Sequence, residues 1–240
     1  MLTIRAAVRE LNVSQIDLLL IHLPFAESSA SQWPKRERAA APEVASLPDT
    51  AALRLATWRA MLRARAQNFV RNLGVSNFNG QQIDELRRQS GEMPAVNQFR
   101  NGPDIFSRHR ELHAFCQLRG IRVMAYNVLA VSSSRRAAGS KQRHAALARI
   151  ADARNMTRTQ VLIRWGLDVN MSVLIASSSA AHLSADLEAT EAAPLAANEL
   201  AALAPPPYGH VHAATIEAAA AKVHYRVYDG PSVRAIGAAG

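Results

Sequence analysis

His22 closes an apolar run, "IDLLLIHLP" (Ile16 to Pro24), and imidazole is an unusual group to leave there. Five apolar residues in near succession, bounded by Asp17 and Pro24, predict a short strand buried on both faces, because a half-exposed strand would alternate. Two readings of His22 stand side by side. It is a structural histidine bonded to nearby backbone, or it marks the carboxyl end of a parallel strand, where α/β folds place their chemistry. His109 and His113 are four apart and share a helix face, but no His-Glu-x-x-His pattern surrounds them and Glu111 falls at spacing two. They read as surface histidines, as do His210 and His212 in a Pro/Gly-bordered tail, so no metal site is expected. Cys116, the only cysteine, lies in an apolar helix stripe and reads as a small core hydrophobe rather than a nucleophile.

The elements that must position these groups alternate. Ile4, Val8 and Leu11 give a first helix one apolar face, laid against the strand that ends at His22. Residues Phe25 to Asp49 read as a long connection, followed by a helix from about Thr50 to Asn68. There Leu55, Trp58, Leu62, Ala66 and Phe69 form the core stripe, and Arg59 and Arg63 face solvent. A strand near Asn72 to Ser76 leads to a helix capped by Asn79 with Gln82. "PAVNQF" is the next strand, and "SRHRELHAFCQLRG" a helix stopped at Gly120. "IRVMAY" ends in Tyr126. A polar loop, a helix over Ala145 to Ala153 and a helix capped by Thr157 and Gln160 precede the strand "MSVLIASSS" and one more helix. A short helix at Asn198 to Leu203 comes before an Ala/Pro-rich stretch. The division is 1–203 for the α/β unit and 204–240 for a C-terminal extension. Five strands in βα alternation predict a parallel sheet with right-handed crossovers.

Totals exclude several classes. The chain has 240 residues and a net charge of +9, a balance that steers anionic ligands toward the surface. The arginines are dispersed and aromatic residues make up only 5% of the chain, which argues against specific nucleic-acid recognition. No run of about 18 apolar residues is present, so no membrane span is expected, and no charged-then-apolar secretory start. One cysteine forms no intrachain disulfide framework, which fits a reducing, cytoplasmic setting.

Four strings carry more than periodicity: "VSQIDLLLIHLP", "VRNLGVSNF", "PAVNQF" followed by "LHAFCQLRGIRVMAYNVL", and "VLIRWGLDVNMSVLIASSS". In this order and spacing they resemble the aldo-keto reductase family, NAD(P)H-dependent oxidoreductases built on a (β/α)8 TIM-type barrel. The resemblance runs from about Met1 to Leu203. It implies reduction of small aldehydes or ketones with NADP or NAD, and it implies that His22 belongs to a catalytic group of Asp, Tyr, Lys and His and helps orient the carbonyl. It also implies that Ser76, Asn77 and Gln98 bond the nicotinamide carboxamide and that Tyr126 stacks on its ring. Each of these has a plain reading too: a strand-end turn for Ser76 and Asn77, a buried bonded side chain for Gln98, core for Tyr126.

The sequence also departs from that family. None of Met1 to Ile21 is a lysine or tyrosine, so catalytic Asp, Tyr and Lys have no counterparts before His22. The expected fold is therefore a partial barrel, with about five of eight βα strands, lacking its N-terminal part. Its open edges invite self-association. The alternative to an enzyme is a catalytically inactive truncated barrel with a binding or assembly role. In the last loop Ala176 stands where many family members carry a lysine near the 2′-phosphate of NADP(H), and His182 where they carry an arginine. Ser177, Ser178 and Ser179 still donate near a helix N-terminus, which suits a phosphate. Weak cofactor binding follows, because alanine supplies no charge and histidine only part of one near neutral pH.

Overall fold

The computed structural model describes residues 2–24, 51–132 and 140–204. The long connection expected over Phe25 to Asp49, part of the polar loop after Tyr126 and the extension beyond Ala204 lie outside the described residues. The order is α1 (Leu2–Glu10), β1 (Ile16–Ile21), α2 (Ala51–Ala66), β2 (Val70–Ser76), α3 (Gly80–Ser90), β3 (Val96–Arg100), α4 (Phe106–Leu118), β4 (Arg122–Tyr126) and a 3-10 turn (Val128–Ser132). Then come α5 (Ser140–Arg154), α6 (Arg158–Asp168), β5 (Met171–Leu174), α7 (Ala180–Glu191) and α8 (Ala197–Leu203). Among the described residues the strands form one sheet in the order β1-β2-β3-β4-β5, and every pairing is parallel. This is a partial TIM-type barrel with five strands, as the βα alternation predicts.

Local signals in the sequence explain the helix ends. Asn79 accepts from the Gln82 backbone N–H at 2.9 Å while the Gln82 side chain accepts from the Asn79 N–H at 3.0 Å, a reciprocal cap. Thr157 and Gln160 repeat it at 3.1 and 2.8 Å. Gly120, at φ 68°, stops the chain after α4, where a side chain would be strained. In α2 the buried residues are Leu55, Trp58, Met61 and Ala64. Ala66, expected in the stripe, is exposed and Leu62 is half-buried, because the helix contacts the sheet along a straighter i, i+3 row.

The helices cover one face of the sheet. Leu73, Val75, Asn97, Phe99, Val123 and Ala125 point toward them and are buried, around Trp58, Phe106, Phe115 and Trp165. The other, concave face is mixed: Gly74, Ser76 and Val96 are buried, while Gln98, Arg100, Met124 and Tyr126 are half-buried. This corrects the expectation for "IDLLLI": β1 is partly accessible at nearly every position rather than buried on both faces. Among the described residues it is an edge strand, paired with β2 alone, and its Leu18 and Leu20 share the concave face with Asn72 and Gly74.

His109 and His113 are corrected as well. They sit on the inner side of α4 at 5% and 1% exposure, not on the surface. His109 Nδ1 lies 2.8 Å from the Arg100 carbonyl, an acceptor only, which assigns the ring proton to Nδ1. Phe99 packs edge-on to that ring, and Phe106 edge-on to His113. Burial pushes both imidazoles down from 6.5 to about 4, against the opposing pull of the Arg100 and Val169 backbones respectively. Cys116 is buried, as expected, and burial pushes its thiol up to about 12.

Acid sensitivity follows. Between pH 6.5 and about 4 the unfolded chain binds protons that the folded chain refuses, so stability rises with pH across this window and is lost as pH falls through it. The difference between 6.5 and about 4 is worth about 3 kcal/mol for each ring. Denaturant midpoints measured from pH 7.5 to 4.5 should fall steeply below pH 6.5, and the fall should be shallower in His113→Leu. A midpoint constant over this range would contradict the assignment.

Candidate active site

The site lies where the parallel strands end. Register pairs Ser76 with Gln98, Gln98 with Met124 and Arg100 with Tyr126, and Tyr126 with Leu174. Alternation therefore puts Ser76, Gln98, Arg100, Met124 and Tyr126 on one face, the concave one. His22 is the first residue past β1 and is exposed, standing at the same end of the neighbouring strand.

Asn77 binds this rim together. It has φ 61°, a left-handed conformation that asparagine tolerates better than most residues. From there its Nδ2 donates to the His22 carbonyl at 3.1 Å and to Ser76 Oγ at 3.0 Å, and its Oδ1 accepts from the Tyr126 hydroxyl at 3.0 Å. Its backbone N–H donates to the Gln98 carbonyl at 2.8 Å. One side chain thus joins the ends of β1, β2 and β4 across β3. Burial raises the Tyr126 phenol above its ordinary value, against the Arg100 guanidinium, which pulls it down.

These bonds decide which groups are left for a ligand. Both amide hydrogens of Asn77 are committed inside the protein, so the carboxamide contact expected of it requires an existing bond to break. Ser76 Oγ accepts from Asn77 and keeps its own hydrogen for a further acceptor. Gln98 Nε2 rests on Met124 Sδ at 3.2 Å, a weak acceptor that a carbonyl oxygen would displace. A primary carboxamide beside Ser76 and Gln98 fits this donor set, and Tyr126, half-buried and held by its hydroxyl, offers a fixed aromatic face.

At the far edge, Ser179 caps α7 by accepting from the His182 N–H at 3.3 Å, and Ser177 Oγ accepts from the Ser179 N–H at 3.1 Å. Ser178, Ala176 and His182 are exposed. The loop after β5 is therefore a polar helix N-terminus without a fixed cation of its own. Two surface hollows, of about 220 Å³ beside Arg122 and Asn170 and about 550 Å³ beside Asp152 and Glu188, contain none of these rim residues.

The sequence reading missed Arg100 and Asp104. Arg100 Nη2 is ion-paired to Asp104 Oδ2, with the side chains 19% and 8% exposed. The signal was present, since an arginine two residues after Gln98 in a strand shares its face.

The sequence model of the Aldo/keto reductase family matches residues 2–204. The chain belongs to this family. It is 30% identical over 200 residues to an aldo-keto reductase of Mycolicibacterium vanbaalenii, covering 83% of this chain and 60% of that protein. It is 32% identical over 168 residues to aldo-keto reductase family 1 member A1 of Sus scrofa, covering 68% and 49%. The crystal structure of a Bombyx mori aldo-keto reductase in complex with NADP superposes with a TM-score of 0.66 at 27% identity, over 83% of this chain and 60% of that one. The chain thus spans 49% to 60% of the length of these relatives. The family match begins at residue 2, so it does not bear out the expectation of a missing N-terminal part. No helix among the described residues is long and apolar enough to cross a membrane.

The Asn77 hub predicts a graded response. Tyr126→Phe removes one bond and should cost about 1 kcal/mol of stability, whereas Asn77→Ala removes three side-chain bonds and strains the left-handed backbone, for about 3 kcal/mol. Urea denaturation of the two variants checks the ratio, and equal losses would contradict the hub.

Proposed function

We propose that this chain binds a nicotinamide dinucleotide at the strand ends and serves the interconversion of small aldehydes or ketones with alcohols. The observation that carries the reading is the ordered rim of Ser76, Gln98 and Tyr126 around Asn77, in a chain of this family. The bound cofactor supplies a hydride. Gln98, through its amide, and Ser76, through its hydroxyl hydrogen once this 1% exposed residue is uncovered, would hold the carboxamide, and Tyr126 would offer its ring to the nicotinamide. Asn77 fixes the Tyr126 hydroxyl and the His22 backbone rather than touching the cofactor. His22, at the open mouth, donates to the substrate carbonyl and orients it. Reduction would add the cofactor's hydride to the carbonyl carbon and a proton from solvent to its oxygen, where the developing negative charge needs a hydrogen-bond donor such as His22.

A second reading, a binding or assembly role without turnover, is favoured by one observation: among the described residues β1 is an edge strand that is partly accessible along its whole length. Tyr225 and Tyr228 lie outside the described residues. The accessible edge and concave face of β1 suit self-association.

The cofactor contact is weak in this reading, because Ser177, Ser178 and Ser179 must hold phosphate with an exposed Ala176 and His182 in place of cations. Fluorescence titration with NADPH and NADH tests it. Both should bind with little discrimination, Ser76→Ala and Gln98→Leu should weaken both, and Ala176→Lys should tighten NADPH alone by about tenfold. Absence of binding by either nucleotide would overturn the proposal. Turnover of an aldehyde that is lost in His22→Ala selects the enzyme; binding without turnover, with light scattering above the 26.1 kDa monomer, selects the assembly role.

A further inference from the structure

Arg100 is the cation of the concave rim. Register places it laterally beside Tyr126, two residues beyond Gln98 on the same face. The Arg100 side chain is 19% exposed and that of its partner Asp104 only 8%, so the arginine is the more accessible member of a largely shielded pair. Their bond uses Nη2, and Nε is buried without a partner. Nη1 is therefore uncommitted among the described residues. Asp104 Oδ1 is buried with no hydrogen-bond partner among the described residues, in a tight space where a Cβ on Gly102 would meet it at 3.2 Å and the Val128 carbonyl at 2.9 Å. A guanidinium fixed by a buried carboxylate is preorganised, on the sheet face it shares with Tyr126.

We infer that Arg100 is a specificity-determining residue that binds an oxyanion on the substrate, so that the carbonyl compound taken at this mouth bears a carboxylate. The inference deepens the reading above by naming the substrate class, and it rests on that reading for the carbonyl itself. An oxyanion also occurs in the cofactor's phosphates, and the two sources separate experimentally. Arginine suits a carboxylate because its planar donors meet two oxygens at once.

The test uses the full chain and simple probes. Butanoate and 1-butanol are titrated against it by NMR, and NADPH by fluorescence. Butanoate should shift the amides of Arg100, Asn101, Gly102, Asp104 and residues 126–128 saturably, should weaken as salt is added, and should exceed 1-butanol by about tenfold in affinity. Arg100→Gln should abolish this preference and Arg122→Gln, at the opposite strand end, should keep it. Because Arg100→Gln strands a buried carboxylate, the double variant Arg100→Gln/Asp104→Asn provides a folded control that must also lose the preference. NADPH affinity should be the same in both Arg100 variants. Equal binding of butanoate and 1-butanol, or a preference that survives in the double variant, would overturn the inference. A fall in NADPH affinity parallel to that of butanoate would assign the arginine to the cofactor instead and overturn it equally. Butanoate binding in a chain that takes no nucleotide would reject the cofactor reading while leaving the oxyanion site in place.

Discussion

A single left-handed asparagine holds the working end of this sheet in place. Parallel strands end in loops that have no sheet partners, and their last side chains are free to wander unless something ties them. Asn77 does so by turning its amide toward three neighbours at once: the His22 carbonyl, Ser76 Oγ and the Tyr126 hydroxyl. Its backbone geometry and its side-chain chemistry are inseparable, since an alanine in the same place would be strained and mute. The Tyr126 ring owes its orientation to this hub, and the Ser76 hydroxyl is buried against it.

The second constraint is the one-sided cover of the sheet. Helices bury the face that carries Leu73, Val75, Phe99 and Val123, whereas the concave face keeps polar and apolar groups half-open. That arrangement leaves Gln98, Arg100 and Tyr126 half-buried, and Leu18 and Leu20 partly accessible on the edge strand. The proposed site and the packed core therefore draw on opposite faces of the same five strands. The two histidines of α4 belong to the stability side, buried under Phe106 and beside Phe99.

Much of this was legible in the chain. The strands, their parallel order and both reciprocal helix caps follow from apolar runs and from Asn79–Gln82 and Thr157–Gln160, because these signals are local. The errors share a physical origin in tertiary context. His109 and His113 look polar in sequence, yet a carbonyl at the end of β3 satisfies one ring and aromatic edges enclose both. "IDLLLI" looks doubly buried, yet burial depends on what lies beside and above a strand. Asn77 was legible as a candidate cofactor ligand, but its actual bonds run to protein groups, and only the register of β2 against its neighbours reveals that. Arg100 was hidden among dispersed arginines until the pairing with Tyr126 gave it a face.

Four tyrosines occur in the chain, and Tyr126 is the one on the described rim. Ring-labelled tyrosine therefore makes a direct probe of whether the strand ends hold nicotinamide. A nuclear Overhauser measurement between the Tyr126 ring and the nicotinamide protons of added NADPH, assigned with Tyr126→Phe, tests the central claim. Cross-peaks from the Tyr126 ring to the nicotinamide protons, lost in the variant, are the result this account predicts. Bound NADPH whose nicotinamide shows no contact with Tyr126 would contradict it.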